Sequence, residues 1–350
     1  MVHLRRPHLL LCLLAALLLS PAVALAHETL RVLAWPGYAD PDLVKAFEQR
    51  HKVRVEVSFI DTDDALWKRI SKPKATGFDV FAVNTAELQR YIAAALVLPI
   101  DTAALPQRAQ QLPRFQKLAA IPGIVHDGKV YAIPYTYAEM GLIYDRTQIT
   151  QPPDSINALW DPRYRGKVLA YDGGSHNFAL AAQSLGRKQP FRLDDKDWPA
   201  MVERLIGLRR NVLAFYTQPE ESVELFTRHR AALLFANYGS QQLKMLRKAG
   251  VDVGYVIPRE GALAWLDCWV IAKGVRNRAL AHAWIDFMLE VEASQALLER
   301  QGLANTRSPS PFHQPEDRLV WLQPVENPEQ RYRYWQRIIS GEQARKVLTP

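Results

Sequence analysis

The sequence predicts an α/β protein of mostly parallel sheets covered by helices, and three observations predict it. From residue 30 to residue 100, short apolar runs of strand character alternate with stretches of helical periodicity. That is the pattern of a parallel sheet whose strands are joined by helices. A second alternation of the same kind runs from about residue 168 to residue 258, and a chain of 350 residues is long enough for two cores. After the second block comes the apolar stretch 261–274 (GALAWLDCWVIAKG), which reads as buried sheet and carries an aspartate between tryptophans.

Residues 1–26 read as a cleavable signal peptide: Arg5 and Arg6, an apolar run over 9–19, then a small-x-small site at 24–26. No later apolar run approaches the ~20 residues that span a bilayer. Cleavage would remove Cys12 and leave Cys268, which has no intramolecular partner and reads as a small core residue. The formal charge is +8; Arg5 and Arg6 supply two of these charges and no acid lies beside them, which leaves +6 for the remainder. The basic pairs and runs at 209–210 and 331–337 fall on helical patterns, as solvated faces do. No nucleic-acid partner is therefore expected.

Taken in order, residues 30–34 (LRVLA) form a buried strand that Trp35-Pro36-Gly37-Tyr38 breaks. Asp40 and Pro41 then open a helix as cap and first residue. Val53, Val55, Val57 and Phe59 alternate with polar residues as a strand, and residues 61–64 cap the next helix. Residues 78–83 are a third strand, with Asn84 and Thr85 at its end as a helix cap, a ligand contact or both. Ligands of such sheets bind beyond the carboxyl ends of the strands, so Trp35–Tyr38 and Asn84-Thr85 are expected at one crevice.

Residues 129–134 and 140–144 read as strands joined through an aromatic segment that ends at Glu139, an acid that is either a site residue or a surface charge. The turn 171–177 (YDGGSHN) opens a helix over 178–185; its backbone N–H groups could hold a carboxylate or be capped by Ser175. Strands follow at 231–236 and 251–258, with Asn237 and Tyr238 beyond the first of them. Residues 279–300 read as one long helix, 309–315 as a linker, and 328–339 as a final helix. Asp267 needs a partner wherever it is buried. It is either a cap or core ion pair, or the anchor of a cationic ligand lying against Trp265.

On these features the sequence resembles the periplasmic solute-binding proteins of ABC importers, in particular the spermidine/putrescine-binding branch. The resemblance runs from about residue 30 to residue 339. It is carried by Trp35-x-x-Tyr38, by YAIPY at 131–135, by LWDPRYRGKV at 159–168, by GALAWLDCWVIA at 261–272, and by Gly302 and Asn305 after the long helix. It implies a two-lobed fold with a hinged cleft, lobe one being 28–135 plus 259–304 and lobe two 136–258 plus 305–350. It also implies a periplasmic monomer that carries a cationic or amine solute, here a putrescine- or spermidine-like polyamine, to an inner-membrane ABC permease complex. No enzymatic activity, cofactor or metal is implied.

The resemblance places Trp35, Tyr38, Trp265 and Asp267 in the family's aromatic and acidic pocket, with Thr85 in a contacting loop. The turn that supplies two further acids in the family has Gly173 and His176 at the matching positions, with Asp172 one place away. Asn237 stands where the family has tryptophan, with Tyr238 beside it, and Leu303 where it has an aromatic residue. The expected binding residues are thus Trp35, Tyr38, Thr85, Glu139, Asp172, His176, Tyr238, Trp265 and Asp267. Other small amines, amino-acid-like solutes, a metal held by Tyr238 and His176, and a sensory role are the alternatives. No nucleophile elbow, His-Glu-x-x-His helix or phosphate loop is present to support an enzyme.

Overall fold

The computed structural model describes residues 28–72, 77–314 and 317–349; the leader read over 1–26 lies outside them. Two sheets form the two lobes. The first takes β1 (Thr29–Ala34), β2 (Arg54–Phe59), β3 (Val80–Asn84), β4 (Val97–Leu98), β7 (Ile133–Met140), β13 (Ala262–Ala272), β14 (Ala304–Asn305) and β15 (Leu319–Trp321). A hairpin of β5 (Val125–His126) and β6 (Lys129–Val130) stands apart. The second sheet takes β8 (Leu142–Asp145), β9 (Val168–Tyr171), β10 (Val212–Tyr216), β11 (Leu233–Phe235) and β12 (Val253–Val256).

In the first sheet β1 pairs in parallel with β2 and β3, which puts the carboxyl ends of all three strands on one edge. The long β13 lies antiparallel to both β3 and β7, so this sheet is mixed. The second sheet is ordered β10-β9-β11-β8-β12, parallel over its first three strands and antiparallel beyond. Leu142, Val168 and Leu233 enter the core on one of its faces, while Ile143, Leu169 and Leu234 enter the core on the other. Burial on both sides is why these strands read as continuous apolar runs rather than as alternation.

Several local expectations change. Asp40 precedes its helix, Pro41–His51, but its side chain caps nothing; it accepts a hydrogen bond from Arg300 at 2.8 Å. The helix Gly174–Ser184 begins at Gly173 with no side-chain cap, so Ser175 does not fill that role. The expected helix over 279–300 is broken into Arg278–Phe287, Val291–Ala296 and a π-helical turn at Leu297–Gln301. Phe287, Met288 and Leu289 are all buried; three consecutive side chains cannot face one core from a straight helix, so the axis turns there. Cys268 is a fully buried free thiol, as read from the sequence.

The chain passes from β7 to β8, hence from the first sheet to the second, through Gly141 alone. It returns between β12 and β13. Trp265 on β13 packs against the cores of both lobes.

Candidate functional site

The Trp35–Tyr38 segment is a tight turn because its sequence demands one. The Tyr38 N–H donates to the Trp35 carbonyl at 3.2 Å, Pro36 takes the second position, and Gly37 the third with φ +84°. A positive φ at that position is what a type II turn requires and glycine supplies without strain. The turn folds Tyr38 under the strand ends, where its hydroxyl donates to Asp267 Oδ2 at 2.6 Å. Tyr135 meets the Tyr38 ring edge-on at 5.5 Å and donates its own hydroxyl to the Tyr38 carbonyl.

Asp267 is 7 % exposed. Burial pushes its carboxyl up to about 7, against the opposing pull of the Tyr38 hydrogen bond. In the β3–β13 pairing it stands directly opposite Asn84. Asn84 caps the helix Thr85–Ala93 by accepting from the Glu87 N–H at 2.9 Å, and Thr85 beside it has a buried hydroxyl without a hydrogen-bond partner. Trp35 is half-buried, and its indole N–H is likewise unpartnered. These four sequence-predicted residues therefore gather at the carboxyl edge of the first sheet.

Trp265, two positions before Asp267 on β13, points to the same face. Its indole donates to the Asn237 carbonyl at 3.2 Å, so the first sheet's aromatic residue touches the second lobe. Tyr238, next along, sits edge-on to Tyr171 at 6.1 Å, and Tyr171 edge-on to His176 at 5.5 Å. The second rim thus carries an aromatic wall of Tyr171 and Tyr238. The sequence reading named Tyr238 and missed Tyr171, which is marked only by its place at the end of β9.

Two predicted residues lie apart from this group. Asp172 is engaged by the helix Pro328–Ile339, after which one more, Ala344–Val347, follows: Trp335 Nε1 donates to its Oδ1 at 2.6 Å. Glu139 is on β7 opposite Ala264, and strand alternation turns it to the face away from Asp267 and Trp265. It is fully buried with both carboxylate oxygens unpartnered, and burial pushes its carboxyl up to about 8. His176 is at the second rim but uncharged near neutrality, because burial and then the Arg331 guanidinium hold it down at about 4. Among the described residues no cluster of three or more His, Cys, Asp or Glu side chains could hold a metal ion.

A crevice between two α/β lobes, lined by aromatic rings and one buried acid, defines a binding protein for a small solute. The sequence pattern of the bacterial extracellular solute-binding proteins matches residues 42–313, and the chain belongs to that family. It is 25 % identical over 298 residues to the putrescine-binding periplasmic protein of Escherichia coli, covering 81 % of this chain and 79 % of that one. It is 23 % identical to that organism's spermidine/putrescine-binding periplasmic protein, covering 84 % and 82 %. The fold matches the spermidine/putrescine ABC transporter substrate-binding protein of Streptococcus pneumoniae with a TM-score of 0.71 at 21 % identity, covering 91 % of this chain and 99 % of that one. The protein is accordingly a periplasmic solute-binding protein of this family and not an enzyme.

Proposed function

We propose that the solute is a cationic amine of the putrescine/spermidine class and that Asp267 is its anchor. The observation that carries this reading is a buried carboxylate whose hydrogen bond comes from the neutral Tyr38 hydroxyl, beside Trp265 and the Trp35 turn. A desolvated carboxylate facing aromatic rings gains most from an ammonium group, which supplies the countercharge while its methylenes lie along the rings. The names of the relatives support the polyamine class. Glu139, Asp172 and His176 carry less of this proposal than Trp35, Tyr38, Thr85, Tyr238, Trp265 and Asp267. In this reading the two lobes, expected from the sequence at 28–135 plus 259–304 and 136–258 plus 305–350, close on the ligand with residues 136–140, Asn305 and 319–321 going with the first sheet; the ligand bridges both rims and so favours the closed arrangement.

A second reading is an amino-acid-like solute with one ammonium group. It is favoured by the second rim, where Asp172 is engaged by Trp335 and His176 is uncharged. A thermal-shift screen of the mature protein tests both, with putrescine, spermidine, spermine, agmatine, amino acids and quaternary amines. A dose-dependent rise in Tm of about 2 °C or more with a polyamine is the expected result. A rise with amino acids alone selects the second reading. A rise only with a solute that carries no amine overturns both.

A further inference from the structure

We propose that the turn Leu297–Gln301 with Gly302, in the first lobe, is a clasp on which the second lobe's helix Ser240–Lys248 closes, and that Lys244 and Ser240 hold the lobes together there. This rests on the reading that the lobes close on a solute, and not on which amine is bound. The two elements belong to different cores. Leu297 and Leu303 are buried with the first sheet, Leu243 and Leu246 with the second.

A helix leaves its last carbonyls without partners of its own. At this helix end two carbonyls are taken up from the other lobe. Ser240 is fully buried at the start of its helix, and its hydroxyl donates to the Gly302 carbonyl at 2.6 Å. Lys244 Nζ donates to the Glu299 carbonyl, where the negative end of a helix favours a cation. Gly302 allows the close approach. It has φ +71°, and a Cβ there would lie 3.1 Å from the Lys244 Cδ and 3.3 Å from the Gln241 Cα.

The same turn is moored to the solute side. Arg300 donates to Asp40 and Asp42 at the start of the helix Pro41–His51. The Gln301 side chain lies against the Trp35–Tyr38 turn, where a Cβ on Gly37 would fall 2.4 Å from its Cδ. Residues 300 and 301 thus hold the binding turn of the first rim, while residues 299 and 302 hold the second lobe.

The two bonds differ in leverage. Gly239 approaches the crossover so closely that a Cβ there would lie 2.6 Å from the Glu139 carbonyl. Ser240, next in sequence, is therefore the inner bond. Lys244, one helical turn farther from Gly239, is the outer one. A bond made only while the lobes are together stabilises the closed arrangement and not the open one.

Small-angle X-ray scattering and stopped-flow release of putrescine, on the wild type, Lys244→Met and Ser240→Ala, test the proposal. Lys244→Met keeps most of the side chain's length and removes its donor. Without solute it should have a larger radius of gyration than the wild type. It should release putrescine about threefold or more faster, with an association rate within about twofold, because one hydrogen bond of the closed state is gone. Ser240→Ala should act in the same direction. An unchanged radius or an unchanged release rate in Lys244→Met overturns the clasp. A wild type that neither binds putrescine nor contracts with it overturns the closure on an amine, and the radii without solute still judge the clasp. Should the buried Ser240→Ala change melt the protein far below the wild type, Lys244→Met decides alone.

Discussion

The two rims of the crevice are built from the same kind of part, a strand end followed by a turn into a helix, and they differ in how far they bury their acids. At the first rim Asp267 is buried and accepts from the neutral Tyr38 hydroxyl. At the second rim the half-buried Asp172 accepts from the equally neutral Trp335 indole, and burial, then the Arg331 guanidinium, holds His176 uncharged near neutrality. A neutral donor leaves a carboxylate its charge, so the lesson is that desolvation, more than the hydrogen bond, decides how much an acid at a crevice gains from a cation.

The sharpest way to break this contrast is Asp267→Asn. Amine affinity should fall about a hundredfold or more, since a buried countercharge is lost. Titration calorimetry reads the change, and an unaltered affinity would mean that the ligand draws nothing from the buried acid of the first rim. Acidity should act in the same direction. Burial holds the Asp267 carboxyl at about 7, so the free protein is protonated there below that value and the cation must displace the proton. Affinity should therefore drop as pH falls from 8 to 6, by at most about tenfold per unit. Asp267→Asn should flatten that dependence.

Trp35→Ala should weaken binding by about tenfold through lost stacking and leave Tm nearly unchanged. A large fall in Tm would instead make Trp35 a core residue. Glu139→Gln probes burial without ligand. The folded protein keeps the Glu139 proton up to about 8, whereas a carboxyl of ordinary value, 4.5, releases it in the unfolded chain. Stability thus falls as pH rises between those values. The variant should match the wild type at pH 4 and melt several degrees higher at pH 9, read by calorimetry. The smallest effect belongs to Asp172→Asn. It should change amine affinity less than about twofold and cost about 1 kcal/mol of stability through the Trp335 hydrogen bond.

Much of this was legible in the sequence, and the reasons are local. Trp35, Tyr38 and Asp267 could be placed because a turn at the end of a parallel strand and an acid in a buried strand each carry a rule. Tyr171 could not, since its place beside the crevice depends on which edge of the second sheet faces it. The face of Glu139 depends on its pairing with Ala264 across β7 and β13, a register between strands distant in sequence that no local pattern records. The Asp40 side chain, expected as a cap, is engaged instead by Arg300, 260 residues away, a competition that no local pattern records. Strands as short as β14 and β15 have no periodicity to read.

One hydroxyl described by none of these rules has a mechanical consequence. Tyr255 of the second sheet donates to the Glu139 carbonyl of the first at 2.7 Å and accepts from the Gly141 N–H at 3.1 Å. It therefore grips the chain on both sides of the crossover. Any rotation of the lobes that keeps those two bonds must turn about this point, which becomes the axle, while the rims carrying Asp267 and Tyr171 travel as the free edges of a door.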